Sequence, residues 1–316
     1  MADKGIRVSS KYYEIKIQSY KDSKVVMPIW EIGNLSSGFA TLVCQLHGDE
    51  YSSQLIVNEI LQLAKSITKA KLGLKIIACA NPLGSMLKIK SEPISNLNLN
   101  RCFTKEILDR RAIVPVKELI TKMSFLIKGS EFVIDIHDMP GSELVLSSIL
   151  TVNGKLEIED KNLELIRRFN LAVTWIEDFS SRKIQKRYNG TINSYLNNIS
   201  VPNFSIETSS VENITEKEIK VVAKKIINLL EKDRKQIRKV PNFVKRIELR
   251  STRDGVFVPR KILLLRQIKK GQKLGVLTYK GRKIDFVSPS SGILIRKVNR
   301  KFVKKDEKLF DLAIKI

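Results

Sequence analysis

The sequence predicts an α/β fold, a sheet covered by helices on both faces, followed by a small all-β domain. Three observations carry that prediction. FATLVCQL (39–46), LKIIACA (74–80) and EFVIDIH (131–137) are apolar runs of strand length, as expected of strands buried on both faces. Segments of helical apolar spacing alternate with them, the signature of a sheet packed between helices. From Ile247 to Ile316 the helical period disappears, and short apolar runs are broken by Gly255, Gly271, Gly275, Gly281, Gly292, Pro259 and Pro289. That punctuation suits short strands joined by tight turns.

In chain order, Tyr13, Ile15 and Ile17 alternate with polar neighbours, and VVMPIWEIG (25–33) follows, so the first 35 residues read as short strands. After the run at 39–46, Leu55, Ile56, Ile60, Leu63 and Ala64 recur at helical spacing and predict a helix over 52–67. The run at 74–80 gives way to a polar, poorly periodic stretch (81–103), then a helix near 115–128 and the strand at 131–137. Further strands are expected at 143–150, 172–177 and 203–207, and helices near 160–169, 190–198 and 214–232. EKDRKQIRKVPNFVKR (231–246) reads as a linker. The expected domains are therefore 1–240 and 241–316. A length of 316 residues allows two domains and a sizeable core without disulfide or metal staples.

The net charge of +24 is the unusual bulk property. Lys and Arg read as spread along the whole chain, which is also rich in Ile, Asn and Ser. The charge is thus attributed to composition rather than to a polyanionic partner. A basic nucleic-acid-binding protein is the lesser alternative, with neither a basic-aromatic RNA module nor zinc-finger spacing in its favour. Cys44, Cys79 and Cys102 are odd in number and lack C-x-x-C spacing, which fits a reducing compartment. The N-terminal stretch has no apolar signal-peptide core, and no run of about 18 apolar residues occurs. A cytoplasmic protein without a membrane partner is expected, with homo-oligomerisation left open.

The chain holds two histidines, and each closes a predicted buried strand. His47 begins His-Gly-Asp-Glu (47–50), and His137 ends Val-Ile-Asp-Ile-His. Ligand sites of α/β sheets lie at the carboxyl ends of strands, where Asn81 also falls. His-x-x-Glu at a strand-to-helix junction brings an imidazole and a carboxylate toward one point. His137 from a neighbouring strand would complete three protein ligands, His47, Glu50 and His137, leaving a fourth position open as in catalytic zinc sites. Asp135, two residues before His137, shares its face of the strand and could orient it. It reads equally as a strand-end hydrogen-bond acceptor. Glu207 closes the run Phe204-Ser205-Ile206 and by itself reads as either a site carboxylate or an edge charge.

Four landmarks, in order, resemble the succinylglutamate desuccinylase/aspartoacylase family, relatives of the zinc carboxypeptidases. They are Leu46-His47-Gly48-Asp49-Glu50; Asn81-Pro82-Leu83-Gly84 leading to Asn98-Leu99-Asn100-Arg101-Cys102-Phe103; Asp135-Ile136-His137; and Ser205-Ile206-Glu207. Val287-Ser288-Pro289-Ser290-Ser291-Gly292 is similar to a turn of barrel-sandwich domains. The resemblance implies a mixed, zinc carboxypeptidase-like sheet with a C-terminal barrel-sandwich-like domain, and one Zn2+ per chain on His47, Glu50 and His137. It implies that Asn100 and Arg101 grip a substrate carboxylate and that Glu207 is the general base. Lys90 stands where many members place a carbonyl-polarising arginine, keeping the charge without the planar fork. Asn98 replaces the usual Asp, and Thr208-Ser209-Ser210 replaces a Gly-containing turn. The implied activity is deacylation of an N-acyl amino acid or related small carboxylate-bearing amide. A metallocarboxypeptidase acting on peptides is the alternative.

Overall fold

A computed structural model of the chain describes residues 9–20, 25–65, 70–109, 114–181, 184–185, 188–230, 242–299 and 302–315. The strands are β1 (Ser10–Lys16), β2 (Val26–Ile32), β3 (Phe39–Cys44), β4 (Gly73–Ile77), β5 (Phe132–Met139), β6 (Ser142–Leu144), β7 (Ser147–Val152), β8 (Val173–Asp178) and β9 (Asn203–Ser209). Beyond them lie β10 (Asn242–Arg250), β11 (Gly255–Pro259), β12 (Gln267–Ile268), β13 (Lys273–Tyr279), β14 (Arg282–Val287), β15 (Gly292–Val298), β16 (Phe302–Val303) and β17 (Lys308–Lys315). The helices are α1 (Ser52–Ala64), α2 (Pro82–Met86), α3 (Lys105–Asp109), α4 (Val114–Ile127), α5 (Leu156–Phe169), α6 (Ile192–Asn198) and α7 (Glu216–Leu229).

The main sheet runs β1-β2-β4-β3-β5-β9-β7-β8-β10-β17-β15-β12. Its centre, β4-β3-β5-β9, is parallel, and β7 enters antiparallel to β9. The sheet is therefore mixed, as expected. Alternation along each strand divides its side chains between two cores. Leu42, Ile76 and Ile134 pack with Ile56 and Ile60 of α1, Phe169 of α5 and Ile226 of α7. Val43, Ile77 and Val133 pack on the other face with Leu119 and Met123 of α4 and Leu196 of α6. Each such buried side chain contributes about 1.5–3 kcal/mol of transfer free energy, so a two-faced apolar run forces a sheet with helices on both sides. Helix α7 starts on a capping box, in which Thr215 and Glu218 satisfy each other's backbone N–H groups.

The C-terminal strands are joined to the main sheet. Of the linker expected at 231–246, residues 231–241 lie outside the described residues, and the remainder is already strand. β10 pairs in parallel with β8 and antiparallel with β17, and β15 pairs with β17. β15 also pairs with β6, with Arg296 opposite Leu144, and Ser210 N–H donates to the Ser142 carbonyl at 3.2 Å. Strands β9-β7-β8-β10-β17-β15-β6 thereby curl into a ring around Ile149, Trp175, Val244 and Ile295. A second, antiparallel sheet, β14-β13-β11-β16, packs Phe257, Leu277 and Val303 against Leu294, Phe310 and Leu312 of the first.

Candidate metal centre

β3 ends at Cys44, and the chain turns through Gln45, whose φ of 50° is left-handed. The turn carries His47 off the strand end, and Glu50 N–H returns to the His47 carbonyl at 3.3 Å just before α1 begins. On the adjacent parallel strand β5, Asp135 and His137 share one face. His47, Glu50 and His137 are all buried, and their ligand atoms lie within 4.8 Å of one another.

The two imidazoles turn the same atom toward the carboxylate. His47 Nδ1 lies 2.6 Å from Glu50 Oε1, and His137 Nδ1 lies 2.8 Å from Glu50 Oε2. The outer nitrogens are tied back: His47 Nε2 donates to Asn98 Oδ1 at 3.1 Å, and His137 Nε2 to Asp135 Oδ2 at 2.5 Å. A proton fixed on Nε2 leaves the Nδ1 lone pair free to ligate. Two such lone pairs facing one carboxylate at hydrogen-bond distance require positive charge between them, supplied by a proton or a metal ion. Two nitrogens and one oxygen suit zinc.

Burial holds the His47 imidazole below its ordinary pKa, outweighing the pull of Glu50. Burial also acts to lower His137, but Asp135 and Glu50 on either side raise it well above the ordinary value. Burial pushes Glu50 upward, yet the two imidazoles hold it well below the usual carboxylate range. Without metal the site thus keeps its proton on His137, the charge a cation would replace. Asp138, on the opposite face of β5, accepts the free Ser52 N–H at the start of α1 at 2.8 Å. Burial, then the neighbouring Glu50, push it up to about 8.

The stretch from Asn81 to Arg101 packs directly on the metal turn. The Asn81 side chain caps α2 through Gly84 N–H at 3.1 Å and donates to the Lys90 carbonyl at 3.4 Å. A Cβ on Gly48 would sit 2.2 Å from the Gly84 carbonyl carbon, so only glycine allows this approach. Lys90 brings its ammonium 3.9 Å from Glu50 Oε1 while its side chain stays 52% exposed. Asn100 accepts from Ile192 N–H at 2.9 Å, and its Nδ2 lies 3.4 Å from His137 Nε2. Arg101 donates to the Asn100 carbonyl at 2.5 Å and stacks 4.7 Å over the Tyr188 ring. Gly190 lies against this turn, where a Cβ would come 2.1 Å from the Arg101 carbonyl oxygen.

Glu207 stands in register opposite His137, across the parallel β5–β9 pair. Its Oε2 is buried without a hydrogen-bond partner among the described residues. Burial raises its carboxyl to about 7, with His137 pulling the other way. A half-buried carboxylate with one buried, unpartnered oxygen beside the ligand cluster is poised to exchange a proton near neutral pH.

The structure therefore gathers His47, Glu50, His137, Asp135, Lys90 and Asn100, and places Glu207 beside His137. Arg101 is held at the rim by its own turn and Tyr188. Sequence reasoning did not assign Asn98 as the partner of His47 or Asp138 as the cap of α1. Asn98 stood only as a departure from the family's Asp, which was the one available signal. Asp138 carried none, because its partner is a backbone N–H 86 residues away.

The model of the succinylglutamate desuccinylase/aspartoacylase catalytic domain matches residues 39–232. No curated protein matches the sequence. Among solved structures, an aspartoacylase family protein from Mesorhizobium loti superposes with a TM-score of 0.75 at 19% identity, covering 98% of this chain and 95% of its own. A succinylglutamate desuccinylase/aspartoacylase from Rhodobacter sphaeroides gives 0.76 at 14% identity, with coverage of 98% and 95%. The product-bound ectoine utilization protein EutE (DoeB) from Ruegeria pomeroyi gives 0.76 at 17% identity, with coverage of 97% and 95%. At these identities the structural likeness is one of fold.

Proposed function

The chain belongs to the succinylglutamate desuccinylase/aspartoacylase family of hydrolases, and on that premise we propose that it is a zinc-dependent deacylase cleaving the amide bond of an N-acyl amino acid or related small carboxylate. The observation that carries this reading is the convergence of both Nδ1 atoms on the two oxygens of Glu50, with each outer nitrogen tied back.

Zinc held by these three residues would supply a Lewis acid for the amide carbonyl and make water nucleophilic near neutral pH. The chain's own groups do the rest. Asp135 and Asn98 fix the imidazole tautomers. Glu207 takes a proton from the attacking water and delivers it to the leaving amine, a task suited to a carboxyl raised to about 7. The Lys90 ammonium, beside Glu50, stabilises negative charge on the former carbonyl oxygen. Asn100 and the planar fork of Arg101 hold the substrate carboxylate.

The test is the metal content of the purified protein, followed by turnover of a panel of N-acyl amino acids and short peptides. About one zinc per chain with cleavage of N-acyl amino acids is the expected result. Cleavage of peptides alone would transfer the same chemistry to a carboxypeptidase. A parent protein that takes up no metal after zinc is supplied would remove the mechanism.

A further inference from the structure

The positive charge is not evenly spread, contrary to the sequence reading. Residues 241–316 carry 21 Lys and Arg against 6 Asp and Glu, a net +15. Residues 1–240 carry 36 against 27, a net +9 over a stretch three times as long. A compositional bias acts on both parts alike, so it does not account for the contrast within one chain.

The same region exposes an apolar surface. In the sheet β14-β13-β11-β16, Phe302 pairs with Val256, Val256 with Thr278, and Thr278 with Lys283. Val258 pairs with Val276 in the next row of the same face. Phe302 is 61% exposed, Val258 58% and Val256 45%. Their neighbours on the inner face, Phe257 and Val303, are fully buried in the core. Asp285, which shares the outer face, is neutralised by Lys273 at 2.5 Å. Lys283 is exposed on the same face, and the exposed Lys304 and Lys305 follow β16 directly.

Lysines commonly guard an edge strand against pairing with other chains. That explains basic residues flanking β16; it does not explain valines and a phenylalanine on the solvent side of the sheet. Exposed apolar patches mark interaction surfaces, and a basic margin selects an anionic partner. A single-strand nucleic-acid surface would gain from several aromatic faces on which bases stack. This face offers one phenylalanine, and its other apolar side chains are branched aliphatics, which match lipid acyl chains.

We propose that the outer face of this sheet docks on an anionic lipid surface, with Phe302, Val256 and Val258 entering the headgroup boundary and Lys283, Lys304 and Lys305 meeting lipid phosphates. No described helix is long and apolar enough to cross a membrane, so the contact is peripheral. The expectation of no membrane partner rested on the lack of a spanning segment, and surface docking needs none.

The experiment is sedimentation of the full-length protein with phosphatidylcholine vesicles, with and without phosphatidylglycerol, at low and high salt. Binding to the anionic vesicles should be at least about tenfold tighter and should collapse at high salt. A Val258→Ser/Phe302→Ser double variant should lose about tenfold of that binding while melting at the parent's temperature. Should that variant fail to fold, Lys283→Gln with Lys304→Gln reads the electrostatic half alone and should weaken binding to the anionic vesicles. Equal partition onto neutral vesicles, or folded variants that bind as the parent does, would overturn the proposal. So would a parent that ignores vesicles but retards a single-stranded oligonucleotide, which would turn the face into a nucleic-acid surface.

Discussion

His137 lies on β5, whose parallel neighbour β3 ends at Cys44, and His47 and Glu50 sit on the turn that leads from β3 into α1. Lys90, Asn98, Asn100 and Arg101 hang on a different kind of chain. Between β4 and α3 lie one five-residue helix, an isolated bridge between Glu92 and Leu97, and a three-residue 3-10 turn. In the first region, His137 is set by a ladder of backbone hydrogen bonds, and the short turn bearing His47 and Glu50 is held between β3 and α1 and closed by Glu50 N–H on the His47 carbonyl. In the second it is set by a few side-chain contacts: Asn81 on Lys90, Asn98 on His47, Asn100 on Ile192. The candidate metal ligands therefore rest on or beside regular elements, and the residues proposed to choose the substrate rest on irregular chain.

That contrast is best broken from its rigid side. His137→Ala should take metal from about one per chain to none and turnover to background, because it leaves two ligands; a variant retaining full metal would disprove the assignment. Glu207→Gln should keep the metal and lower kcat by roughly 10²–10⁴-fold. Activity equal to the parent's would remove Glu207 as the base.

The irregular side is tested by Gly190→Ala, which forces a methyl against the Arg101 carbonyl. Metal content should hold while kcat/KM drops by up to about 10²-fold, the scale expected when a positioning group moves by about an ångström. Loss of metal in this variant would mean that the two regions are not separable. Asp135→Asn tests the support of a ligand and should weaken metal affinity by about 10–100-fold in a competition titration.

The smallest effect is the pH response. His137 is raised well above its ordinary value in the metal-free site, so it holds a proton that metal must displace. Affinity should therefore rise with pH, by about tenfold per unit, until that pKa is passed. Glu207 is raised to about 7 without metal, and a nearby dication favours its ionised form. The acid limb of kcat/KM should then fall below about 7, activity being lost as pH drops through it. A limb above 7 would assign the titration to another group.

The fold was legible because it is periodic, and His47 with Glu50 because they are local; His137, 87 residues from Glu50, stood out only as the second histidine on a buried strand. Leu42 and Val43 face opposite cores, which is what the unbroken apolar run at 39–46 requires. His-x-x-Glu spans one turn of chain. What escaped the sequence depends on distant pairing. Asn98 meets His47 across 51 residues, and Ser52 N–H finds Asp138 across 86. The stretch read as a linker ends inside β10, whose place beside β8 no local pattern announces. The uneven charge was open to counting, but it gained meaning only when the register put Val256 and Phe302 side by side on an exposed face.

The ring of strands also governs the order in which the protein can be made. Arg296 Nε donates to the Ser142 hydroxyl 154 residues earlier in the chain, and β17 fits between β10 and β15. While the chain is still on the ribosome, β6 and the outer edge of β8 have been synthesised long before their partners. Until translation passes β17, those edges are open to pairing with other nascent chains. A low-contact-order bundle has no such interval. Slower elongation upstream of β10 would lengthen the exposure, so yield of native protein should respond to translation speed and chaperone supply more than the stability of the finished fold suggests.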